Sequence, residues 1–180
     1  RISSAAELPA LRQEFSLLDL EKVPLIAEKM MQFEREISLL GARSKDGRVA
    51  LFSLAENLHH EGQLHVSVAP ITELSDTLQQ KANDIFVTIA TSMDYVGVLA
   101  VELFQCGEEL YVNEIAPRVH NSGHWTQQGC STSQFEQHIR AVLGLPLGST
   151  EVIGVSAMVN IIGCTTFNRD LIGIPNVHLH

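Results

Sequence analysis

Two acidic side chains, Glu102 and Glu114, lie in neighbouring apolar runs whose spacing would bring them face to face. The runs, residues 95–106 and 110–116, are strand-like, and the three residues between them, 107–109, suit a hairpin loop. In such a hairpin, opposed residues have numbers with a constant sum, so the two carboxylates are predicted to be cross-strand partners. Like charges opposed on an apolar face are destabilising, and a Mg²⁺ ion that binds both would offset the repulsion.

The same pairing makes further predictions about the hairpin. It places Cys106 opposite Leu110, and it places Glu114 on the same face as Leu110 and Val112, because side chains alternate along a strand. Asn113, beside Glu114, would add an amide oxygen to the metal site. Two alternatives stay open: the pairing is off by one residue, or one of the acids simply faces water.

A polar, turn-rich stretch, residues 117–132, follows the hairpin directly. A guanidinium can bind an oxyanion through two N–H groups, and an imidazole can exchange a proton near neutral pH. A metal ion beside such an anion clamp is typical of a phosphoryl- or carboxyl-transfer site. The alternative is an ordinary surface loop that Trp125 anchors to the body. The residues that the functional interpretation uses are Arg118, His120, Asn121 and Ser122.

Hydrophobic periodicity and turn residues predict the elements that would position these groups. Strands are predicted at residues 24–30, 34–43, 48–54, 65–69 and 152–163, with a turn at 45–47, and helices at 4–15, 72–93 and 135–143. The last helix would be capped by Ser131, Thr132 or Ser133 and closed by Gly144. Together these elements predict an α/β (α+β) fold with a mainly antiparallel sheet and flanking helices.

The composition limits the classes of partner. A net charge of −9 with only 12 basic residues disfavours nucleic-acid binding, which concentrates Lys and Arg on one face. The three cysteines, Cys106, Cys130 and Cys164, have no CxxC spacing, so neither a disulfide framework nor a zinc site is indicated. No stretch reaches the ~20 apolar residues that span a bilayer. We therefore expect a cytoplasmic protein with small-molecule partners and neither a nucleic-acid nor a membrane partner.

Several motifs carry a resemblance to a known family. They are Tyr95-Val96-Gly97-Val98, Glu102, and the run Asn113-Glu114-Ile115-Ala116-Pro117-Arg118-Val119-His120-Asn121-Ser122-Gly123-His124-Trp125-Thr126. Further matches are Glu34-Arg35-Glu36-Ile37-Ser38-Leu39, Glu56-Asn57-Leu58-His59 and Ser133-Gln134-Phe135-Glu136. Over most of its length the chain resembles the N5-carboxyaminoimidazole ribonucleotide synthetases, also known as the ATPase subunit of phosphoribosylaminoimidazole carboxylase, which are ATP-grasp ligases.

The resemblance implies a function and a set of roles. It implies ATP-dependent carboxylation of 5-aminoimidazole ribonucleotide with bicarbonate, through carboxyphosphate, in purine biosynthesis, with ATP and Mg²⁺ as cofactors. By the same resemblance, Glu102 and Glu114 would bind Mg²⁺. The nucleotide-binding residues would be Glu28, Glu36, His59, Asn113 and Glu114. The catalytic residues would be Arg118, His120 and Asn121, and the same three with Ser122 would bind the substrate. Residue types alone would make Glu36 an exposed strand acid and His59 a loop histidine.

The resemblance also predicts a domain organisation, and two alternative functions stay open beside it. Residues 1–148 would be the carboxyl-terminal portion of an ATP-grasp domain, and residues 149–180 the start of a β-rich domain. No glycine-rich phosphate loop precedes the hairpin, so the chain is expected to be inactive alone, and a homodimer is compatible with the family. One rival is another ATP-grasp ligase, such as a biotin carboxylase or a glycinamide-type ligase, against which the 118–126 run argues. The other rival is a non-enzymatic metal- or anion-binding module built on His59, His60, His120 and His124.

Overall fold

The computed structural model describes residue 2, residues 4–163, residue 166 and residues 168–180. These residues belong to two compact units, Arg1–Gln32 and Phe33–His180. Cys164, one of the three cysteines considered above, lies outside the described residues.

The first unit contains the predicted helix but not the predicted strand. A 3₁₀ turn (Ala5–Glu7) leads into α1 (Leu8–Phe15), where Pro9 lies in the first turn, a position that needs no backbone donor. The strand prediction for residues 24–30 is wrong, because these residues form no strand, and Ile26 among them is 87% exposed. A strand needs a neighbour for its backbone N–H and C=O groups, and an apolar sequence alone does not supply one.

The second unit is built on a seven-stranded sheet whose paired strands are all antiparallel. The strand order is β6-β5-β1-β3-β4-β7, and β2 pairs with β1 beside this path. Helices and an antiparallel sheet together confirm the predicted α/β (α+β) fold class. The strands are β1 (Arg35–Arg43), β2 (Val49–Leu51), β3 (Ala55–His60), β4 (Gln63–Ala69), β5 (Gly97–Cys106), β6 (Glu109–Ala116) and β7 (Ser156–Val159).

Two strand predictions in this unit need correction. The strand predicted at residues 48–54 shrinks to the three residues of β2, and the chain then begins β3, which no pattern predicts because polar Glu56 and Asn57 interrupt its apolar character. The buried strand predicted at residues 152–163 is the four-residue edge strand β7, in which Val159 is 64% exposed. An edge strand pairs on one side only, so apolar content overstated its burial.

Helix α2 (Asp76–Ser92) covers one face of the sheet, as its apolar stripe predicts. Ser75 caps the helix by accepting a hydrogen bond from the Leu78 backbone N–H. Phe86 is fully buried against the sheet, which contributes about 1.5–3 kcal/mol. None of the helices in the described ranges combines the length and apolar character that crossing a bilayer requires.

The opposite face of the sheet carries a second core and the polar loop. The loop contains a 3₁₀ turn (Asn121–Gly123) and α3 (Thr126–Gly129), and it leads into α4 (Gln134–Leu143). Trp125 meets Phe52 edge to face, with ring centroids 6.5 Å apart. The predicted helix caps are confirmed for Ser133, which accepts a hydrogen bond from the Glu136 N–H, and for Gly144, which has a φ of 72°. Trp125 therefore fixes the middle of the loop to the body, and Ser133 caps the helix that follows it.

Candidate functional site

The two acids stand opposite each other, although the register of their hairpin differs from the predicted one. A two-residue turn joins β5 and β6, so Cys106 pairs with Glu109, and the pairings up to the bulge are off by one from the prediction. A β-bulge then gives β6 one extra residue, Asn113, which restores Glu102 as the partner of Glu114. The predicted pairing of the acids is confirmed, but through two departures that cancel.

The bulge also decides which side chains share a face with the acids. Leu110 packs into the core beneath α2, and Val112 lies opposite Leu103, which belongs to the same core. The prediction that Glu114 shares a face with Leu110 and Val112 is therefore wrong, because one extra residue reverses the alternation. As a result, Glu114 lies beside Glu102 on the face opposite α2.

The acids belong to a row of three side chains across three strands, here called the acid row: Ser38 on β1, Glu102 on β5 and Glu114 on β6. Ser38 is fully buried, the Glu102 side chain is 14% exposed, and Glu114 is exposed. Leu40, the next residue of this face on β1, lies in the apolar core under the loop. The acid row thus marks the boundary between that core and solvent.

Two more of the predicted residues meet in the neighbouring row. Glu36 lies opposite Phe104 on β5 and Asn57 on β3. His59 Nδ1 is 2.8 Å from Glu36 Oε2, a contact that is an ion pair when the imidazole is protonated. His59 is therefore a strand residue that faces the acids, and the alternatives of a loop histidine and a solvated acid do not hold.

Burial raises the pKa of Glu102, and the negative charge of Glu114 is the next cause. His59 acts in the opposite direction, and Glu36 adds a smaller upward effect. The carboxylate is therefore held in its charged form only against desolvation and repulsion. A cation between the two acids would relieve both.

His120 brings the loop to the acid row. Its Nε2 is 3.7 Å from Glu102 Oε1, and its Nδ1 is 2.9 Å from Ser122 Oγ. Burial lowers the pKa of His120, and the Arg118 charge lowers it further. The ring is therefore neutral at pH 7, and because the Ser122 backbone N–H donates to Nδ1 at 3.4 Å, the single proton is assigned to Nε2. A neutral N–H donor then faces Glu102.

Gln134, at the start of α4, fixes the backbone of His120 and is the residue that sequence reasoning missed. It is fully buried, its Oε1 accepts from the His120 N–H at 2.8 Å, and its Nε2 donates to the His120 carbonyl at 2.7 Å. A Cβ on Gly123 would collide with Leu40, so the loop lies directly on β1. One signal could have found Gln134: it shares the buried face of α4 with Gln137 and Ala141, where an amide needs a partner.

The other predicted residues are placed with less contact to the acids. Arg118 is exposed and donates to the Val119 carbonyl at 2.9 Å, although its charge acts on His120. Asn121 opens the 3₁₀ turn and is half-buried, and Asn113 is exposed in the bulge. Glu28 belongs to the first unit, so its role stays a prediction.

The donor set suits Mg²⁺ that is shared with a ligand. Among the described residues, no three His, Cys, Asp or Glu side chains converge to hold a metal ion. Mg²⁺ in phosphate-binding sites takes one or two carboxylates and completes its shell with phosphates and waters, so Glu102 and Glu114 are sufficient. The Ser38 hydroxyl is buried in the same row and has no hydrogen-bond partner within the described chain.

The histidine-cluster alternative finds no support in the described residues. His60 packs edge to face on His65, with centroids 5.5 Å apart, and no third ligand joins them in that part of the chain. A cleft of about 300 Å³, lined by residues 51–53, 79, 83 and 150–152, includes none of the predicted site residues. The convergence of acids and loop therefore identifies the candidate site better than cavity size does.

His120 and His124 are expected to reduce the stability of the chain as the pH falls below about 6.5. Burial is the main cause that lowers the pKa of both His120 and His124 below the ordinary 6.5. At a pH between the folded and unfolded pKa values, the unfolded chain binds more protons than the folded one. The contribution of these histidines to stability therefore declines as pH falls through 6.5 and is lowest below their folded-state pKa values. Urea unfolding at pH 7.5 and 5.5 measures the difference, and His120→Gln should reduce it. The same pH difference in His120→Gln as in the unchanged chain would contradict the assignment of a neutral, buried ring to His120, because this comparison cancels the contribution of Glu102.

A family model and several relatives match the chain. The model, described as the ATP-grasp domain, matches residues 3–135, which lie within the predicted region 1–148; the boundary at residue 148 stays a prediction. The N5-carboxyaminoimidazole ribonucleotide synthase of Vibrio vulnificus is 45% identical over 182 aligned positions, which are 100% of this chain and 48% of the relative. That of Vibrio parahaemolyticus is 52% identical over 156 positions, or 87% and 41% of the two chains.

Solved structures match in the same way. The N5-carboxyaminoimidazole ribonucleotide synthetase of Thermus thermophilus has a TM-score of 0.85 and 50% identity, and the match covers 93% of this chain and 48% of that one. The N5-carboxyaminoimidazole synthase of Aspergillus clavatus, in complex with ADP and 5-aminoimidazole ribonucleotide, has a TM-score of 0.72 and 35% identity, with coverages of 77% and 38%. The chain spans about half the length of the curated relatives that it matches.

Proposed function

The chain belongs to the ATP-grasp family, and on that premise we propose that it is part of a ligase that carboxylates 5-aminoimidazole ribonucleotide with bicarbonate. ATP would be converted to ADP and phosphate, carboxyphosphate would be the intermediate, and N5-carboxyaminoimidazole ribonucleotide would be the product, in purine biosynthesis. One observation carries the proposal: two opposed carboxylates, Glu102 and Glu114, lie directly beside the buried imidazole of His120. That arrangement suits a phosphorylated anion held next to a cation.

The acid row is the proposed cation side of the site. Mg²⁺, when bound, would neutralise charge on the ATP phosphates and on the phosphoryl group in transfer. Phosphoryl transfer depends on charge neutralisation and alignment more than on covalent help from the protein, so the site requires no nucleophilic side chain. The metal ligands would be Glu102 and Glu114, and the residues in contact with the nucleotide would be Glu28, Glu36, His59, Asn113 and Glu114.

The loop is the proposed bicarbonate side. A neutral His120 can donate its Nε2–H to an anion oxygen, and Ser122 holds the other ring nitrogen so that the proton stays on Nε2. Arg118 is exposed and supplies a positive charge that can grip a carboxylate or a phosphate through two N–H groups. Asn121, at the turn beside them, can both donate and accept hydrogen bonds.

The identity of the acceptor rests on the relatives. The synthases of Vibrio vulnificus and Vibrio parahaemolyticus carry the name of this reaction, and the Aspergillus clavatus enzyme was solved with the proposed acceptor and ADP. The rival of another ATP-grasp ligase keeps the acid row but changes the acceptor. The run 118–126 is part of the resemblance to the synthetases and therefore favours 5-aminoimidazole ribonucleotide as the acceptor.

A hybrid enzyme tests the proposal. The segment of the Vibrio vulnificus synthase that aligns with this chain is exchanged for the chain, and ADP formation is followed with a coupled assay. The expected result is turnover that requires both bicarbonate and 5-aminoimidazole ribonucleotide and falls by about 100-fold with Glu114→Gln, because the variant removes a carboxylate that would hold the Mg²⁺ ion and its stabilising charge. Turnover that ignores Glu114→Gln, or that needs a different acceptor, would contradict the proposal.

A further inference from the structure

Ser38 is a buried hydroxyl without a partner at the floor of the proposed site. It is fully buried, and its Oγ makes no hydrogen bond within the described chain. Ser67, equally buried on the same face of the sheet, donates to Asn57 Oδ1 at 2.7 Å. Buried polar groups in folded proteins are normally paired, and an unpaired one calls for a missing partner such as a water or a ligand.

The position of Ser38 indicates which partner is missing. It lies directly opposite Glu102 on β5 and opposite Ala55 on β3, and Glu114 completes the row on β6. Ala55 and Leu40 belong to the apolar core, so they offer no hydrogen-bonding group. The polar space next to the Ser38 hydroxyl is therefore the space that the two carboxylates border.

We propose that Ser38 is a further ligand-binding residue of this site, whose Oγ hydrogen-bonds to a water molecule in the shell of the divalent cation that Glu102 and Glu114 bind. The inference rests on the proposed function. A water is favoured over direct ligation because a serine side chain is two carbons shorter than a glutamate and stays close to the sheet. Mg²⁺ usually keeps several of its waters, and a buried water needs two to four polar partners, which Ser38 and the Glu102 carboxylate can begin to supply.

Mn²⁺, used as a paramagnetic substitute for Mg²⁺, tests the proposal by NMR line broadening of the whole chain. In Ser38→Ala the affinity for Mn²⁺ is expected to fall by about tenfold, the lower end of the effect of groups that support metal ligands. Its melting temperature should not fall, because no protein hydrogen bond is lost. The matched control, Ser67→Ala, should lower the melting temperature, because it leaves Asn57 Oδ1 unpaired, and should leave the Mn²⁺ affinity unchanged.

The outcomes separate this inference from the proposed function. Broadening centred on Glu102 and Glu114 that persists unchanged in Ser38→Ala would overturn the role of Ser38 alone. Absence of such broadening in the unchanged chain would overturn the cation site and the role of Ser38 together. If alanine prevents folding, Ser38→Cys keeps a side chain of similar shape with a much weaker donor, and it too should weaken Mn²⁺ binding; an unaltered affinity in that variant would refute the proposal.

Discussion

Replacement of Glu102 by glutamine is expected to raise the free energy of unfolding at pH 7 by about 1 kcal/mol, while it removes divalent-cation binding. Glu102 is largely buried, lies opposite Glu114, and has a pKa raised by burial and by the Glu114 charge. Like charges directly opposed across two strands cost up to about 1 kcal/mol, and an amide keeps the shape of the side chain without the charge. Glu102 would thus carry a negative charge that disfavours folding but is required for binding of the cation.

The stability gained in Glu102→Gln depends on pH because the pKa of Glu102 is raised in the folded chain. A carboxyl group with a raised pKa in the folded state makes the folded chain bind more protons than the unfolded chain above the ordinary value of 4.5. Glu102 therefore lowers the stability of the chain as pH rises from about 4.5 through its folded pKa, and the glutamine variant lacks this contribution. The advantage of Glu102→Gln should be near zero below pH 4.5 and full at pH 7.

Urea unfolding across this pH range, with Mn²⁺ titration at pH 7, measures both effects. Glu151→Gln, the same change of charge at an exposed position outside the acid row, is the control and should alter neither quantity. A variant that is less stable than the unchanged chain at pH 7 would mean that Glu102 stabilises the fold through a contact other than a bound cation. Cation affinity that survives the change would argue against Glu102 as a ligand.

Replacement of either of two buried glutamines on α4 is expected to lower stability by the same amount, but only one of the two replacements should affect His120. Gln134 holds the N–H and C=O of His120, and Gln137 holds those of Gly148 at 2.9 and 2.6 Å. Leucine in place of either glutamine leaves a buried backbone donor and acceptor unpaired, so each change should lower the free energy of unfolding by about 3 kcal/mol. Only Gln134→Leu releases the loop residue that faces Glu102.

The titration of His120 distinguishes the two variants. Burial lowers its pKa, so a loop freed by Gln134→Leu should bring that pKa up towards the ordinary 6.5. In Gln137→Leu the pKa of His120 should stay low. NMR of the imidazole protons follows both, and an equal response to the two changes would show that Gln134 supports the fold without positioning His120.

Local patterns predicted the fold class, α2, α4 and the hairpin, because each depends on residues close in sequence. They failed where a distant partner decides. Residues 24–30 and β3 show this from both sides: the first has an apolar pattern but no strand, and the second is a strand in spite of polar Glu56 and Asn57 because β1 and β4 flank it. Pairing partners far along the chain leave no local signature.

The sequence predicted the facing acids of the site correctly, but two errors cancelled in that prediction. The pairing of Glu102 with Glu114 came from a loop counted one residue too long, and the bulge at Asn113 compensated for the error. No residue type at position 113 announces a bulge, since its cause is the fit of β6 to β5. Gln134 was missed because it binds the backbone of His120, and every non-proline residue has the same backbone groups. Its place on the buried face of α4 indicates that it needs a partner but not which one.

NMR of the chain with ADP, with and without Mg²⁺, measures whether the acid row binds the cation of a magnesium–nucleotide complex. We expect chemical-shift changes at Glu36, His59, Glu102 and Glu114 that require Mg²⁺ and disappear in Glu114→Gln. Shifts that are the same without Mg²⁺, that persist in Glu114→Gln, or that centre on the cleft at residues 51–53 and 150–152 would contradict it.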